Sequence, residues 1–266
     1  MAPRWLFRGA KTLTRTRADS TVAGVQSTVG DILAAVRAGG NAALDEFCVK
    51  FDRAPHKKLA DEDIEECLRN CSSQELADIR HAQDNIRRFA QLQRDSMVDV
   101  ETEILPGAIL GHKHIPIQRV GCYVPGGKFP MIASAHMSIL TAKVAGCDHI
   151  MGATAPMPGG EPGTMPRTTI AAMHLAGADE IYLMGGAQAI GAMAYGTETI
   201  QPVDMIAGPG NAFVAEAKKQ VFGQVGIDLL AGPTEVRNPS ASSSKSWSAL
   251  CCLRPAAPWA GAAALR

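Results

Sequence analysis

Hydrophobic positions in the first hundred residues recur at the spacing of helices. Between residues 28 and 95 the apolar side chains return every three or four positions, and no alternating strand pattern precedes Val100. One helix is expected to stop at Gly39-Gly40, and a second is expected over 42–51. A longer helix should begin at Ser72-Ser-Gln-Glu75, because the Ser and Glu side chains can each bind an amide at a helix start. The pattern predicts a helical N-terminal segment.

From about residue 117, short apolar runs alternate with helical stretches. The predicted strands are 119–124, 149–153, 180–184, 203–207 and 226–230. The predicted helices are 134–145, 168–175, 187–195 and 212–222. This alternation is typical of βαβ units, whose right-handed crossovers produce a parallel sheet. The sequence therefore predicts an α/β fold with helices flanking a parallel sheet.

Three of the joints between a strand and the next helix are rich in glycine. They lie at 125–127, 185–186 and 208–210. Ligands of open α/β sheets bind at the carboxyl ends of strands, where glycine admits a ligand to the backbone and a helix N-terminus favours an anion. Each glycine joint by itself is equally well explained as a tight turn. The three together favour a ligand-binding edge.

Composition and charge narrow the class of protein. The 266 residues carry 26 basic and 26 acidic side chains, and this zero net charge argues against a nucleic-acid binder. No apolar run is long enough for a membrane helix, and seven cysteines without CxxC do not form a disulfide framework. These features favour a cytoplasmic protein. Residues 1–18 are basic without any acid, which resembles a mitochondrial transit peptide, although a solvated arm explains them better.

Short motifs give only weak indications of chemistry. Gly208-Pro-Gly-Asn-Ala-Phe213 approaches a dinucleotide-binding fingerprint without its third glycine, and Asp228 follows where a ribose-binding acid could lie. The stretch 186–191 has the spacing of a P-loop but lacks the required Lys and Ser/Thr, which excludes nucleotide-triphosphate hydrolysis. His112 and His114 could be metal ligands, but a solvated strand edge explains them better. The residues alone indicate a ligand edge and no reaction.

Longer segments resemble the histidinol dehydrogenase family. Two of them are Val203-Asp-Met-Ile-Ala-Gly-Pro-Gly-Asn211 and Gly226-Ile-Asp-Leu-Leu-Ala-Gly-Pro-Thr-Glu235. The others are 119–127, 142–146, 174–182, 185–190 and 194–198. Their order and spacing also agree with the family, and the resemblance runs from about residue 5 to Val236.

The resemblance implies a fold and an activity. The fold is α/β, with Rossmann-like parallel sheets, flanking helices and a helical N-terminal segment. Members are homodimeric, zinc-containing dehydrogenases that oxidise a primary alcohol, L-histidinol, through the aldehyde to the carboxylic acid L-histidine with NAD. The family's NAD contacts fall on Tyr123, Gln188 and Asn211, and its substrate contact falls on Thr234. The expected partners are therefore a small-molecule alcohol and a second subunit, with no nucleic acid and no membrane.

The resemblance also implies three regions. Residues 1–116 are expected to form the helical segment and the start of a first α/β domain, and 117–236 the NAD-binding region. Residues 237–266 do not resemble the family and are expected to be disordered; a shifted reading frame or a retained intron would explain them equally. The family places its zinc ligands and acid–base residues beyond Val236, where this chain has no His, Asp, Glu or Gln. The sequence thus predicts no zinc ligand and no catalytic residue here, and a truncated, inactive chain that exposes apolar surface.

The substrate and the activity have alternatives within this resemblance. The segments 122–130 and 134–137 look closer to the sulfopropanediol dehydrogenase branch, where Lys128 could meet a sulfonate or could be an exposed loop lysine. A chain with the NAD edge but without the zinc and acid–base residues could also be a non-catalytic dinucleotide-binding remnant.

Overall fold

A six-stranded sheet with helices on both faces organises the chain. The computed structural model describes residues 19–126 and 130–230, with side chains from Gly24 onward. The helices are α1 (Asp19–Asp52), α2 (Asp61–Arg69), α3 (Ser73–Asp95), α4 (Ile132–Ala135), α5 (Thr141–Ala145), α6 (Arg167–Ala176), α7 (Gly186–Tyr195) and α8 (Ala212–Val221). The strands are β1 (Lys57–Lys58), β2 (Val100–Leu105), β3 (Ala108–His112), β4 (Arg119–Val124), β5 (His149–Thr154), β6 (Glu180–Leu183), β7 (Met205–Ala207) and β8 (Gly226–Ile227).

The sheet has the strand order β1-β6-β5-β4-β7-β8. Strands β4 to β8 are parallel, and β1 joins the edge at β6 in the antiparallel direction. Val120 of β4 lies opposite Ile150 on one side and Met205 on the other. This arrangement confirms the predicted α/β fold with a mostly parallel sheet. Strands β2 and β3 form a separate antiparallel pair.

Alternate residues of the central strands pack into two separate hydrophobic cores, one on each face of the sheet. Met151, Tyr182 and Ile206 point toward α1, α7 and α8 on one face. Ile150 and Ile181 point toward α2, α3 and the helices α4 to α6 on the other face. The two-residue period of a strand produces this division, and burial on both faces explains the nearly continuous apolar runs.

The predicted break at Gly39-Gly40 is confirmed as a kink within α1. Gly40 has φ 54° and ψ −134°, so the helix ends there and starts again. The amide of Asn41 donates to Glu198 Oε2 at 2.7 Å, and the Asn41 side chain accepts from the Thr199 hydroxyl at 2.9 Å. The loop after α7 thus caps the second half of α1 and fixes its direction.

Replacing Gly40 with alanine is expected to lower the free energy of unfolding by about 1–2 kcal/mol. The positive φ disfavours any side chain, and a Cβ would overlap the Glu198 carboxylate that caps Asn41. Urea denaturation measures the change. Gly24→Ala is the matched control, because a Cβ there meets nothing within 4 Å and alanine favours the helix. Equal stability of the two variants would refute the role of the kink.

The helix predicted at 134–145 contains a turn of π-helix at His136–Leu140. It begins at Ile132, two residues earlier than predicted, and continues through α5. At this turn His136 is buried, and the Gln83 side-chain amide lies 3.2 Å from His136 Nδ1. Gln83 also donates to the carbonyl of Ala172 at 2.9 Å. The wide turn lets one buried amide join α3, the π-turn and α6.

The described residues as far as Asp228 belong to one compact unit, and Leu229 and Leu230 lie outside that unit. The division at 116/117 stays a prediction. Thr234, Lys128 and the region 237–266 lie outside the described residues. In the part that is described, no helix is long and apolar enough to cross a membrane.

Candidate functional site

The site begins at the carboxyl ends of β4 and β7. The connection from β4 leads to β5 on one side, and the later connection leads to β7 on the other side. Such a reversal opens a crevice at the strand ends, which is where open α/β sheets bind ligands. The turns at Gly126 and at 208–210 flank this crevice. Two of the three predicted glycine joints are therefore neighbours at one switch point.

Glycine is required at this crevice for close backbone approach. Gly208 has φ 120°, and a Cβ there would overlap the carbonyl oxygen of Tyr123. A Cβ on Gly126 would lie 2.6 Å from the carbonyl oxygen of Ala155. The turns after β4 and β7 thus pack on neighbouring backbone, which gives these glycines a structural reason in addition to ligand access.

At the third glycine joint, at the start of α7, the backbone amides already donate to side chains of the protein itself. The amide of Gly185 donates to Asp52 Oδ2 at 2.8 Å, and the amide of Gly186 donates to the Tyr123 hydroxyl at 3.1 Å. Gln188 Nε2 lies 3.3 Å from the same Asp52 oxygen. A carboxylate at a helix N-terminus is electrostatically favourable, so Asp52 fills the place that a ligand anion would take.

Burial controls the protonation of this cluster. It raises the pKa of Asp52 above the usual value of 3.8, while the bonds from Gly185 and Gln188 oppose the rise. Burial also raises the pKa of Tyr123, so its hydroxyl keeps its proton. Tyr123 and Gln188 are 5% and 1% exposed. The structure therefore brings these two predicted NAD contacts together beneath the glycine turns.

The stability difference between the wild type and Asp52→Asn is expected to depend on pH. Because the folded state raises the pKa of Asp52, folding favours the protonated acid, and this contribution is lost as pH rises above 3.8. The free energy of unfolding of the wild type, relative to that of the variant, should therefore be higher at about pH 4 than at about pH 7. Urea denaturation of both proteins at each pH measures this. A wild type that gains stability relative to the variant as pH rises would contradict the assignment.

Asn211, the remaining predicted NAD contact, caps α8. Its Oδ1 accepts from the Val214 amide at 3.1 Å, and the residue is exposed. It lies directly after the turn at 208–210, across the crevice from the end of β4. An exposed helix N-terminus beside a switch point is suited to a phosphate.

A buried ion pair closes the turn between β7 and α8. Lys218, which is 4% exposed, donates to the carbonyl of Gly208 at 2.9 Å and forms an ion pair with Asp228. The other carboxylate oxygen of Asp228 accepts from the Gly208 amide at 2.9 Å. Both oxygens of Asp228 thus have a partner within the chain, which gives this residue a structural role, and its interpretation as a ribose-binding acid stays a prediction.

The described residues do not assemble a metal site. Over 19–126 and 130–230, no group of three His, Cys, Asp or Glu side chains converges on a point that could hold an ion. His112 and His114 contact each other edge to face, and His114 Nδ1 lies 3.3 Å from Asp99. The zinc implied by the resemblance does not fit these residues, so no chemical step is assigned to it here.

Comparison with known proteins identifies the family. The histidinol dehydrogenase profile matches residues 15–243. The histidinol dehydrogenase homolog of Shouchella clausii is 55% identical over 80% of this chain and 50% of its own length. The sulfopropanediol 3-dehydrogenase of Ruegeria pomeroyi is 47% identical over 81% and 49%.

A solved structure agrees with these sequences. The crystal structure of histidinol dehydrogenase from Elizabethkingia anophelis superimposes with a TM-score of 0.74 at 31% identity, covering 83% of this chain and 49% of that one. The chain spans about half the length of the relatives it matches. The family profile covers far more than half of the sequence, and the solved structure shares the fold. This chain therefore belongs to the histidinol dehydrogenase family.

Proposed function

We propose that this chain binds NAD at the crevice between β4 and β7, as part of a dehydrogenase that oxidises a primary alcohol to the carboxylic acid. The observation that carries the proposal is the switch point itself, flanked by two glycine turns and the exposed, Asn-capped start of α8. Membership of the histidinol dehydrogenase family supports an oxidoreductase. NAD, when bound, would supply the hydride acceptor.

The three cofactor contacts would act from different depths. Asn211 stands at the surface and would place the N-terminus of α8 against the dinucleotide phosphates. Tyr123 and Gln188 are buried below the surface of the site. The Tyr123 hydroxyl accepts from the amide of Gly186, and the Gln188 side chain donates to Asp52, so these two residues would support the turn that faces the cofactor. The Asp52 side chain already accepts from the amide of Gly185 at the start of α7. The partial positive charge at the start of α8 is therefore the one that would favour the phosphates.

Turnover needs residues that the described part of the chain does not bring together. Over these residues no group of three His, Cys, Asp or Glu side chains could hold a metal ion, and Thr234, the proposed substrate contact, lies outside them. We propose that the chain binds dinucleotide by itself and depends on further polypeptide for oxidation. A cytoplasmic homodimer remains part of the proposal.

L-Histidinol is the first proposed substrate, and a sulfonated diol is the second. The 47% identity to a sulfopropanediol 3-dehydrogenase favours the second, together with the segments 122–130 and 134–137. The two substrates differ in charge. A sulfonate is an anion and calls for a cationic side chain in its binding site, whereas the imidazole ring of histidinol does not.

Calorimetric titration of the 266-residue chain with NADH tests the proposal, with ADP-ribose as a competitor. We expect saturable binding that weakens as salt rises, because phosphates are bound. Addition of NAD+ with L-histidinol or sulfopropanediol then tests turnover by NADH absorbance. Binding without turnover supports a dinucleotide-binding chain, and turnover of one alcohol assigns the substrate. Absence of NADH binding would refute the proposed site.

A further inference from the structure

One buried hydroxyl at the carboxyl edge of the sheet has no hydrogen-bond partner among the described residues. It belongs to Thr154, the last residue of β5, which is 0% exposed. The backbone of this residue is fixed in the sheet, since its carbonyl accepts from the Met184 amide at 2.8 Å. Burying an unpaired hydroxyl costs free energy, and valine would fill nearly the same volume without that cost. The Thr154 hydroxyl therefore calls for a partner that the described chain does not supply.

Two other buried side-chain atoms in the described part of the chain also lack a partner, but their surroundings differ. His149 Nε2 belongs to the first residue of β5, at the opposite end of the strand from the crevice. Thr169 lies in the first turn of α6, where rotation of its side chain can bring the hydroxyl to a carbonyl of the preceding turn. Thr154 lies in a strand, so it has no such partner within its own segment.

The Thr154 hydroxyl faces the glycine turn that follows β4. In the register of the sheet Thr154 lies beside Val124, the last residue of β4. A Cβ on Gly126 would lie 3.1 Å from Thr154 Oγ1 and 3.2 Å from the amide nitrogen of Ala155. Gly126 thus packs directly on the end of β5. Because the strand order is β5-β4-β7, this turn stands between Thr154 and the crevice.

We infer that Thr154 is a positioning residue of the cofactor site, whose hydroxyl donates to the Pro125 carbonyl when the Gly126 amide points at a dinucleotide phosphate. The inference rests on the proposed function and deepens it. A trans peptide directs its N–H and its C=O to opposite sides. If the amide of this peptide points into the crevice, its carbonyl points to the β5 side, where the Thr154 hydroxyl lies. Glycine permits the rotation that brings both groups into place.

The group recognised in this way is the pyrophosphate of the dinucleotide. Backbone amides are suitable donors to phosphate oxygens, and the start of α8 offers them from the β7 side of the crevice. The Gly126 amide would offer one from the β4 side. Donation from Thr154 to the Pro125 carbonyl polarises the same peptide, which makes the Gly126 amide a stronger donor. Thr154 would therefore act on phosphate binding without touching the cofactor.

Calorimetric titration of Thr154→Val and Thr154→Ser with NADH and with ADP-ribose tests the inference. Thr154→Val should bind both ligands about 10-fold more weakly, because both carry the pyrophosphate. Thr154→Ser keeps the hydroxyl and should bind both ligands nearly as well as the wild type. Urea denaturation without ligand should show that Thr154→Val is as stable as the wild type or more stable, since the hydroxyl has no partner in the described chain. A purely structural hydroxyl would give the reverse pattern, with lower stability and unchanged affinity.

Thr169→Val is the matched control, because it removes another buried and unpartnered hydroxyl at a position that is 0% exposed. Its NADH affinity should equal that of the wild type. Equal losses in the two valine variants would indicate a general packing effect and overturn the inference. A loss for NADH without a loss for ADP-ribose would also overturn it, since the effect would then concern the nicotinamide half.

Failure of the inference can be distinguished from failure of the proposed function. If the wild type and Thr154→Val bind NADH equally well, Thr154 has no positioning role, while the cofactor site itself stands. If the wild type does not bind NADH, the proposed function is refuted and the inference is refuted with it.

Discussion

Replacing Lys218 with methionine is expected to lower the free energy of unfolding by about 3 kcal/mol. The ammonium group of Lys218 is almost completely buried and holds both the Gly208 carbonyl and Asp228. Its loss leaves a carboxylate facing a protein interior without its countercharge. The Asp228 side chain is 30% exposed, so water offsets part of the cost. Urea denaturation monitored by circular dichroism measures the change.

The same helix provides the control. Lys219 is paired with Glu216 at 3.6 Å, but its side chain is 56% exposed, so Lys219→Met should cost less than about 0.5 kcal/mol. The two variants remove the same charge from adjacent positions and differ in burial. If Lys218→Met cost no more than Lys219→Met, the ion pair would not hold the turn between β7 and α8.

The sheet could be predicted from the sequence because its strands are buried on both faces. The predicted strands at 119–124 and 149–153 each contain an apolar run after a polar first residue, and both became central strands that are buried from their second residue onward. Strand β1 was missed because Lys57-Lys58 has only two residues, both exposed, and shows no apolar pattern. The strand predicted at 226–230 ends at Ile227, since the neighbouring β7 offers only three residues for pairing.

The positions of the glycine joints were predictable from the sequence, but the contacts that these joints make were not. The glycine joints marked the carboxyl edge correctly, since their dihedral and steric demands are local. Asp52 was missed because it reaches Gly185 across 133 residues of sequence, and no local pattern records such a contact. Lys218 did leave a signal, since it lies beside Val214, Ala217 and Val221 on the buried face of α8. A lysine on an apolar face indicates a buried partner.

Replacing Asn211 with aspartate is expected to weaken NADH binding about 10- to 100-fold while leaving the fold intact. Aspartate caps helices as well as asparagine does, so the bond to the Val214 amide should survive. The new negative charge would stand beside the proposed site of the phosphates and repel them. The loss should shrink as salt rises, because screening shortens the range of the repulsion. Calorimetric titration with NADH at two salt concentrations measures both effects.

The matched control places the same charge on a different helix. Ser72 caps α3 through the Glu75 amide, and Ser72→Asp preserves a good cap away from the crevice between β4 and β7. NADH affinity should be unchanged in that variant. An equal loss in both variants would reflect a general effect of negative charge, and no loss in Asn211→Asp would remove α8 from the cofactor site. A loss confined to Asn211→Asp, and reduced by salt, would place the dinucleotide phosphates at the start of α8, because only a local negative charge produces that combination.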